Sequence, residues 1–265
     1  MLPIYEAIEI VEVIDEKVGH TKPWVVNAMT PQGLASFVVK LYPTYQVDNQ
    51  YIITKEVISN VLSSQFNLSS PPCALIDIPI DLTYNMPIED QNQFEQTDGR
   101  LKFATLKLEN VSNSLPELDK IIYKSRIEID TLYAFDNLIR NIDRRRSKPN
   151  LLLGSESAYL IDHEYCFDQE FISNLDIEQL VIGDRFTKHH LFYSFLKRSI
   201  KRSKENFFEE FLFCLQSLSL NALNPYFQVI NNEGFNDYSQ QILPWLNEVR
   251  QKSSIFVNHL RRTIE

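Results

Sequence analysis

Asn141-Ile142-Asp143-Arg144, Pro149-Asn150-Leu151-Leu152-Leu153 and Ala158-Tyr159-Leu160-Ile161-Asp162-His163-Glu164 are the segments on which the reading of this chain turns. Asp143 and Asp162 stand nineteen residues apart, with an asparagine and an apolar run of strand character between them. ATP-dependent phosphoryl transfer needs such a set. One carboxylate orients the acceptor hydroxyl, while an Asn and a second Asp hold the Mg²⁺ that neutralises the phosphates. The bland reading is a helix end, a loop and a hairpin carrying ordinary surface acids. What flanks the segments decides between the two.

Ahead of them, Ile129, Leu132, Tyr133, Phe135, Asp136, Leu138 and Ile139 recur at helical spacing toward Asn141. Ser114-Leu115-Pro116-Glu117 has the form of a capping box. Beyond Phe167, residues 186–202, 204–218 and 238–263 carry apolar side chains three to four apart, again helical. The first part of the chain has a different period. Ile8–Ile14, Trp24–Met29 and Leu34–Leu41 are β-branched or apolar runs, the last two separated by the turn signal Thr30-Pro31-Gln32-Gly33. They predict an antiparallel meander. Thr54 is placed to cap a helix starting at Lys55, with Val57, Ile58, Val61 and Leu62 as its stripe. Ala74–Ile80 and Lys102–Leu108 read as further strands, and polar residues 85–99 as a surface excursion. The expectation is an α+β chain of two lobes: a β-rich lobe over 1–105 and a helical lobe over 106–265.

A phosphoryl-transfer site also needs a cation on the α/β-phosphates and a group that holds it in place. Lys40 closes the strand run Phe37-Val38-Val39, and Glu56 falls in the first turn of the expected helix, within reach of Lys40. Each is ordinary alone, since a helix dipole by itself favours a first-turn Glu. Their order along the chain gives them meaning: Lys, Glu on a helix, then Asp, Asn and Asp.

Composition narrows the remaining classes. A net charge of −9 disfavours general nucleic-acid binding. No apolar stretch approaches the roughly 20 residues of a membrane span, and Met1–Glu6 lacks signal-peptide character, so a cytoplasmic location is expected. Cys73, Cys166 and Cys214 are odd in number and widely spaced, against both a disulfide framework and a zinc knuckle. Cys166 reads as a packed thiol. Six glycines, with neither a Gly-x-Gly-x-x-Gly nor a Walker-type loop, exclude those phosphate cradles. His189-His190 reads as surface, because adjacent helical residues point apart and no third zinc ligand is spaced for them. Arg144, Arg145, Arg146 and Lys148 lie inside the proposed catalytic loop. Lys197, Arg198, Lys201, Arg202 and Lys204 read as the cationic close of a helix.

The run from Phe135 through Asp143, Pro149-Asn150-Leu151-Leu152 and Tyr159-Leu160-Ile161-Asp162-His163 resembles the catalytic core of the HipA-like kinases, bacterial relatives of the eukaryotic protein kinases. Gly19-His20-Thr21-Lys22-Pro23, Val38-Val39-Lys40 and Lys55-Glu56-Val57-Ile58 are similar too, so the likeness spans about residues 10–170. It implies a bilobal protein-kinase-like fold and ATP with Mg²⁺ as cofactors. Asp143 would be the catalytic carboxylate. Lys40 would contact the phosphates, with Glu56 orienting it. Gly19, His20, Thr21 and Lys22 would form the phosphate-covering turn, and Asn150 and Asp162 would be the metal ligands. Lys148 departs from the pattern: it stands five residues after Asp143, where kinase loops usually carry the metal-binding Asn. A lysine cannot ligate Mg²⁺, so it belongs with the phosphates or the substrate. His163 would touch the phosphates or cap the loop locally. The resemblance implies a Ser/Thr kinase acting on a protein, with a small antitoxin or regulatory protein as a conceivable partner. Two alternatives stay open: a kinase of lipids or small molecules, and a pseudokinase that serves as a nucleotide-binding or interaction module.

Overall fold

The computed structural model describes residues 1–14, 22–113, 123–173, 176–201 and 206–265. Along the chain run β1 (Ile4–Val13), β2 (Trp24–Thr30), β3 (Gly33–Val39), α1 (Thr44–Asn49), α2 (Ile52–Ser64), β4 (Cys73–Asp77), α3 (Ile88–Glu95) and β5 (Lys102–Leu106). There follow β6 (Ser112–Asn113), α4 (Ile129–Leu138), β7 (Leu151–Leu153), β8 (Ala158–Leu160), α5 (Gln169–Ile172), α6 (Tyr193–Ile200), α7 (Glu209–Ser217), α8 (Asn224–Asn232), α9 (Ser239–Gln251) and α10 (Ser253–Ile264). The chain is thus mixed α+β, strand-rich first and helical later. It divides into two compact units. One comprises Met1–Ile58, Pro71–Glu109 and Asn224–Asp237; the other comprises Ser59–Ser70, Asn110–Leu223 and Tyr238–Glu265. The capping box at 114–117 and the turn residues Gly19, His20 and Thr21 lie outside the described residues.

In the first unit, β2 and β3 pair in register from Trp24↔Val39 to Thr30↔Gly33. Gly33 has φ +112, a conformation side chains resist, and the Thr30 hydroxyl donates to the Gly33 carbonyl. The expected meander continues into a closed barrel in the order β1-β2-β3-β5-β4, because β1 also pairs parallel with β4. Register shifts after Ala7 and Ile10 bend β1, as β-bulges do. The barrel core holds Trp24, Val26, Phe37, Val39, Leu41 and Ile76. Each fully buried side chain of this size contributes about 1.5–3 kcal/mol.

Residues 85–99 do run largely at the surface, with no residue of their helix buried, but two details differ from the expectation. Residues 85–99 contain α3, and its Phe94 ring stacks on Trp24 with centroids 5.3 Å apart. Polar residues on the outer side of α3 mask its apolar contact from a composition-based reading. Nor does Thr54 cap α2, which begins at Ile52 after Tyr51 at φ +55. The Thr54 hydroxyl donates instead to the Asn236 carbonyl at 2.7 Å, so a distant segment claims it.

That segment belongs to the first unit through Arg100 as well. The Arg100 guanidinium donates to both Asp98 carboxylate oxygens, to Asp48 and to the Gly234 carbonyl, and it lies 4.8 Å from the Phe235 ring centre. One planar fork joins three stretches of sequence.

In the second unit α4 is buried along nearly its whole length. Trp245 Nε1 donates to the Leu138 carbonyl at its end, and Tyr133 shares a hydrogen bond with Thr263. Phe66 contacts Phe135 and stacks on Phe211, which meets Phe256. The expected helix over 238–263 is two helices, α9 and α10, with a break at Lys252, where φ is −104° and ψ is 31°. Of the described residues 186–201 in the expected 186–202 helix, 193–200 are α-helical. β6, β7 and β8 form a small antiparallel sheet. Among the described residues, no helix is long and apolar enough to cross a membrane.

Hydrogen bonds from Arg100 outweigh burial and hold the Asp98 carboxyl down at about 2. A depressed carboxyl stabilises the fold above its ordinary pKa, and that stability is lost as pH falls toward 2. Asp98→Asn is therefore expected to cost about 1–2 kcal/mol at pH 7 after allowance for solvent screening. Urea unfolding of both proteins should show the difference shrinking between pH 4 and pH 2.

Candidate active site

Asp136 sits on α4 with no exposure to solvent. A buried carboxylate is costly unless it is paired and hydrogen-bonded. Three donors surround this one. Asn141 Nδ2 lies 2.9 Å from Oδ1, while Arg144 Nε at 2.7 Å and His190 Nε2 at 2.9 Å share Oδ2. His190 Nδ1 accepts from the Phe192 amide, so its proton is on Nε2. Burial alone would raise the Asp136 carboxyl, but Arg144 and His190 hold it below the ordinary carboxylate range.

This charge organises the loop that follows. Arg140, at φ +57, turns the chain out of α4. Asn141 Oδ1 accepts the Asp143 amide at 2.9 Å, so one side chain ties Asp136 to the backbone of Asp143. Arg144 Nη1 donates to the carbonyls of Pro149 and Asn150 farther round the loop.

Asp143 is 3% exposed. Its Oδ1 accepts from Arg145 at 2.7 Å; its Oδ2 accepts from Lys148 at 2.7 Å and from Asn150 Nδ2 at 3.2 Å. The β7–β8 hairpin delivers Asp162, whose φ is +63. Lys148 Nζ lies 2.7 Å from Asp162 Oδ2 and 3.8 Å from Glu164 Oε1. The ammonium therefore bridges the two aspartates. Burial disfavours its charge, but Asp162 and Asp143 outweigh that and raise its pKa well above the usual lysine value. Carboxylate oxygens of Asp143, Asp162 and Glu164 all lie within 4.8 Å of one another. Such hard oxygen donors fit a small divalent cation like Mg²⁺.

In the first unit, Lys40 follows β3 directly and its ammonium forms an ion pair with Glu56, which is 1% exposed. Tyr42 donates to the same Glu56 oxygen at 2.8 Å. Glu56 is not in a first helical turn: it lies well inside α2, and α1 intervenes after β3. Lys22 pairs with exposed Glu89 at 3.1 Å.

Several residues around the site differ from the sequence reading or had no role in it. His189 is exposed, but the surface reading of His190 is wrong: it is buried and bonded to Asp136. Arg144 belongs to a basic run yet has no exposed surface. A charged Asp136 on an otherwise apolar helix was the available clue, since it demands buried donors. Nothing in the sequence said that one would come fifty-four residues later. Glu164 and Tyr42 were also passed over. His163 and Cys166 are both buried, and the Cys166 amide donates to the His163 carbonyl at 3.1 Å.

The sequence model of the HipA-like kinase family matches residues 8–218. A solved structure, the Helicobacter pylori proinflammatory kinase CtkA, is similar at 14% identity and a TM-score of 0.49, over 98% of each chain. No curated protein matches the sequence.

Removing one partner of a buried ion pair leaves the other charge uncompensated. Asp136→Ala is expected to cost about 3–5 kcal/mol, measured by urea denaturation. Arg144→Met should cost less in the Asp136→Ala background than alone, because its buried carboxylate partner is already gone.

Proposed function

The chain belongs to the HipA-like kinase family, and from that premise we propose an ATP- and Mg²⁺-dependent kinase that phosphorylates Ser or Thr of a protein, on a bilobal kinase-like fold. The observation that carries this reading is the convergence of Asp143 and Asp162 on one ammonium, with Asn150 bonded to Asp143. Ordinary surface acids would have no reason to gather around one loop lysine.

In this reading Lys40 offsets charge on the ATP phosphates, and Glu56, steadied by Tyr42, aims it. The acceptor hydroxyl lies against Asp143. As its oxygen attacks the γ-phosphorus, the bond to the leaving ADP oxygen breaks and the hydroxyl proton passes to the Asp143 carboxylate. Asn150 and Asp162 would hold Mg²⁺, which when bound neutralises phosphate charge. Gly19, His20, Thr21 and Lys22 are assigned to the turn over the phosphates. His163, buried beside the metal-binding aspartate, is assigned a positioning role. Arg145 can offset charge near the acceptor, since it already reaches Asp143.

A second reading is favoured by one residue. Lys148 stands where a metal-binding Asn is usual and neutralises the carboxylates itself, which suits a nucleotide-binding regulatory module without transfer activity. Radiolabel transfer from ATP to proteins of a cell extract separates the two. Wild type is expected to label Ser or Thr, and Asp143→Ala to lose about 10²–10⁴-fold of the rate. No transfer by the wild type, with a melting temperature still raised by ATP, would favour the module.

Asn150→Ala is expected to cost at least about 10²-fold in transfer rate, because the second metal-binding group is lost. Initial rates across a Mg²⁺ titration check this. Full activity would assign the metal to other donors, Glu164 first among them.

A further inference from the structure

Lys148 holds a position that the kinase reading does not explain. Its ammonium lies 2.7 Å from an oxygen of Asp143 and 2.7 Å from one of Asp162, with Glu164 at 3.8 Å. Carboxylate oxygens of the same three residues gather within 4.8 Å of one another and would draw a divalent cation. We propose that Lys148 is a resident counter-cation for this carboxylate cluster, and that a divalent metal enters only by displacing it.

The geometry supplies the reason. Mg²⁺ binds oxygens at about 2.0–2.1 Å and keeps a near-octahedral shell. An ammonium in hydrogen-bond contact with both Asp143 and Asp162 crowds that shell, and two cations on the same carboxylates repel one another. Displacement is mechanically simple. The Lys148 backbone is fixed by a reciprocal pair of hydrogen bonds with Arg145, at 3.0 and 3.1 Å. Its side chain is 38% exposed on a flexible four-carbon stem. The head group can therefore swing to solvent, or to an incoming phosphate, while the loop stays in place. Without metal, the ammonium offsets the repulsion between Asp143 and Asp162. With metal, it is a free cation at the edge of the site. The inference rests on the proposed kinase function only for what the displaced lysine then serves; the competition itself is a property of the cluster.

Metal binding without nucleotide tests it. Mn²⁺ is the probe, titrated into the full chain and read by electron paramagnetic resonance. Lys148→Met and Lys148→Gln are expected to bind Mn²⁺ at least about tenfold more tightly than wild type, while Lys148→Arg, which keeps the charge, shows no gain. Adding Asp162→Asn to Lys148→Met should abolish the gain. Equal affinity in wild type and both neutral variants, no binding in any of them, or a gain that survives Asp162→Asn would overturn the proposal. Wild type offers a measurement free of folding effects. Mg²⁺ should raise the rate at which an amine-reactive reagent labels Lys148, read by mass spectrometry, and an unchanged rate also overturns it. Loss of the kinase reading would register separately, as the absence of radiolabel transfer from ATP by the wild type.

Discussion

A carboxylate with no access to water, Asp136, is the constraint around which the second unit is built. Such a group is tolerated only when each oxygen is satisfied, and here the donors come from Asn141, Arg144 and His190. Two of the three belong to the loop that carries Asp143. The loop is therefore wrapped on a buried charge rather than draped over the surface. Arg144 extends the grip by donating to the carbonyls of Pro149 and Asn150. The position of Asp143 follows from this arrangement, because its amide bonds to the same Asn141 side chain that satisfies Asp136.

The converse problem arises on the outer side of the loop. Asp143, Asp162 and Glu164 put three acids close together, and like charges at that range destabilise unless cations intervene. Arg145 and Lys148 supply them. Asn150 and Asp162 also adopt positive φ, a conformation that Asn and Asp accept more readily than most residues. The first unit solves its own version of the problem at Glu56, where Lys40 and Tyr42 converge on one buried oxygen.

Much of this architecture was legible beforehand. β-branched and apolar runs marked β2, β3 and the later part of β1, and Thr30-Pro31-Gln32-Gly33 marked the turn that Gly33 makes at φ +112. Helical spacing marked α4, and the Lys40–Glu56 pairing was read from order along the chain. Residues whose role depends on a distant partner escaped. Phe94 stacks on a tryptophan seventy residues earlier, Thr54 bonds a carbonyl far downstream, and His190 answers Asp136. Local patterning holds no information about partners that distant.

The family was read from the likeness of whole motifs, whereas the sequence by itself determined most of the strands and helices and the spacing of the loop's acids and amide. Those depend on periodicity, turn chemistry and spacing, all local quantities. Tertiary structure alone decided that Asp136 would be buried, that Arg144 and His190 would leave the surface to satisfy it, and that Lys148 would sit between Asp143 and Asp162. The reason is electrostatic. A charge acquires its partner only after the fold has removed water from around it, and which partner lies within reach is a property of packing in three dimensions.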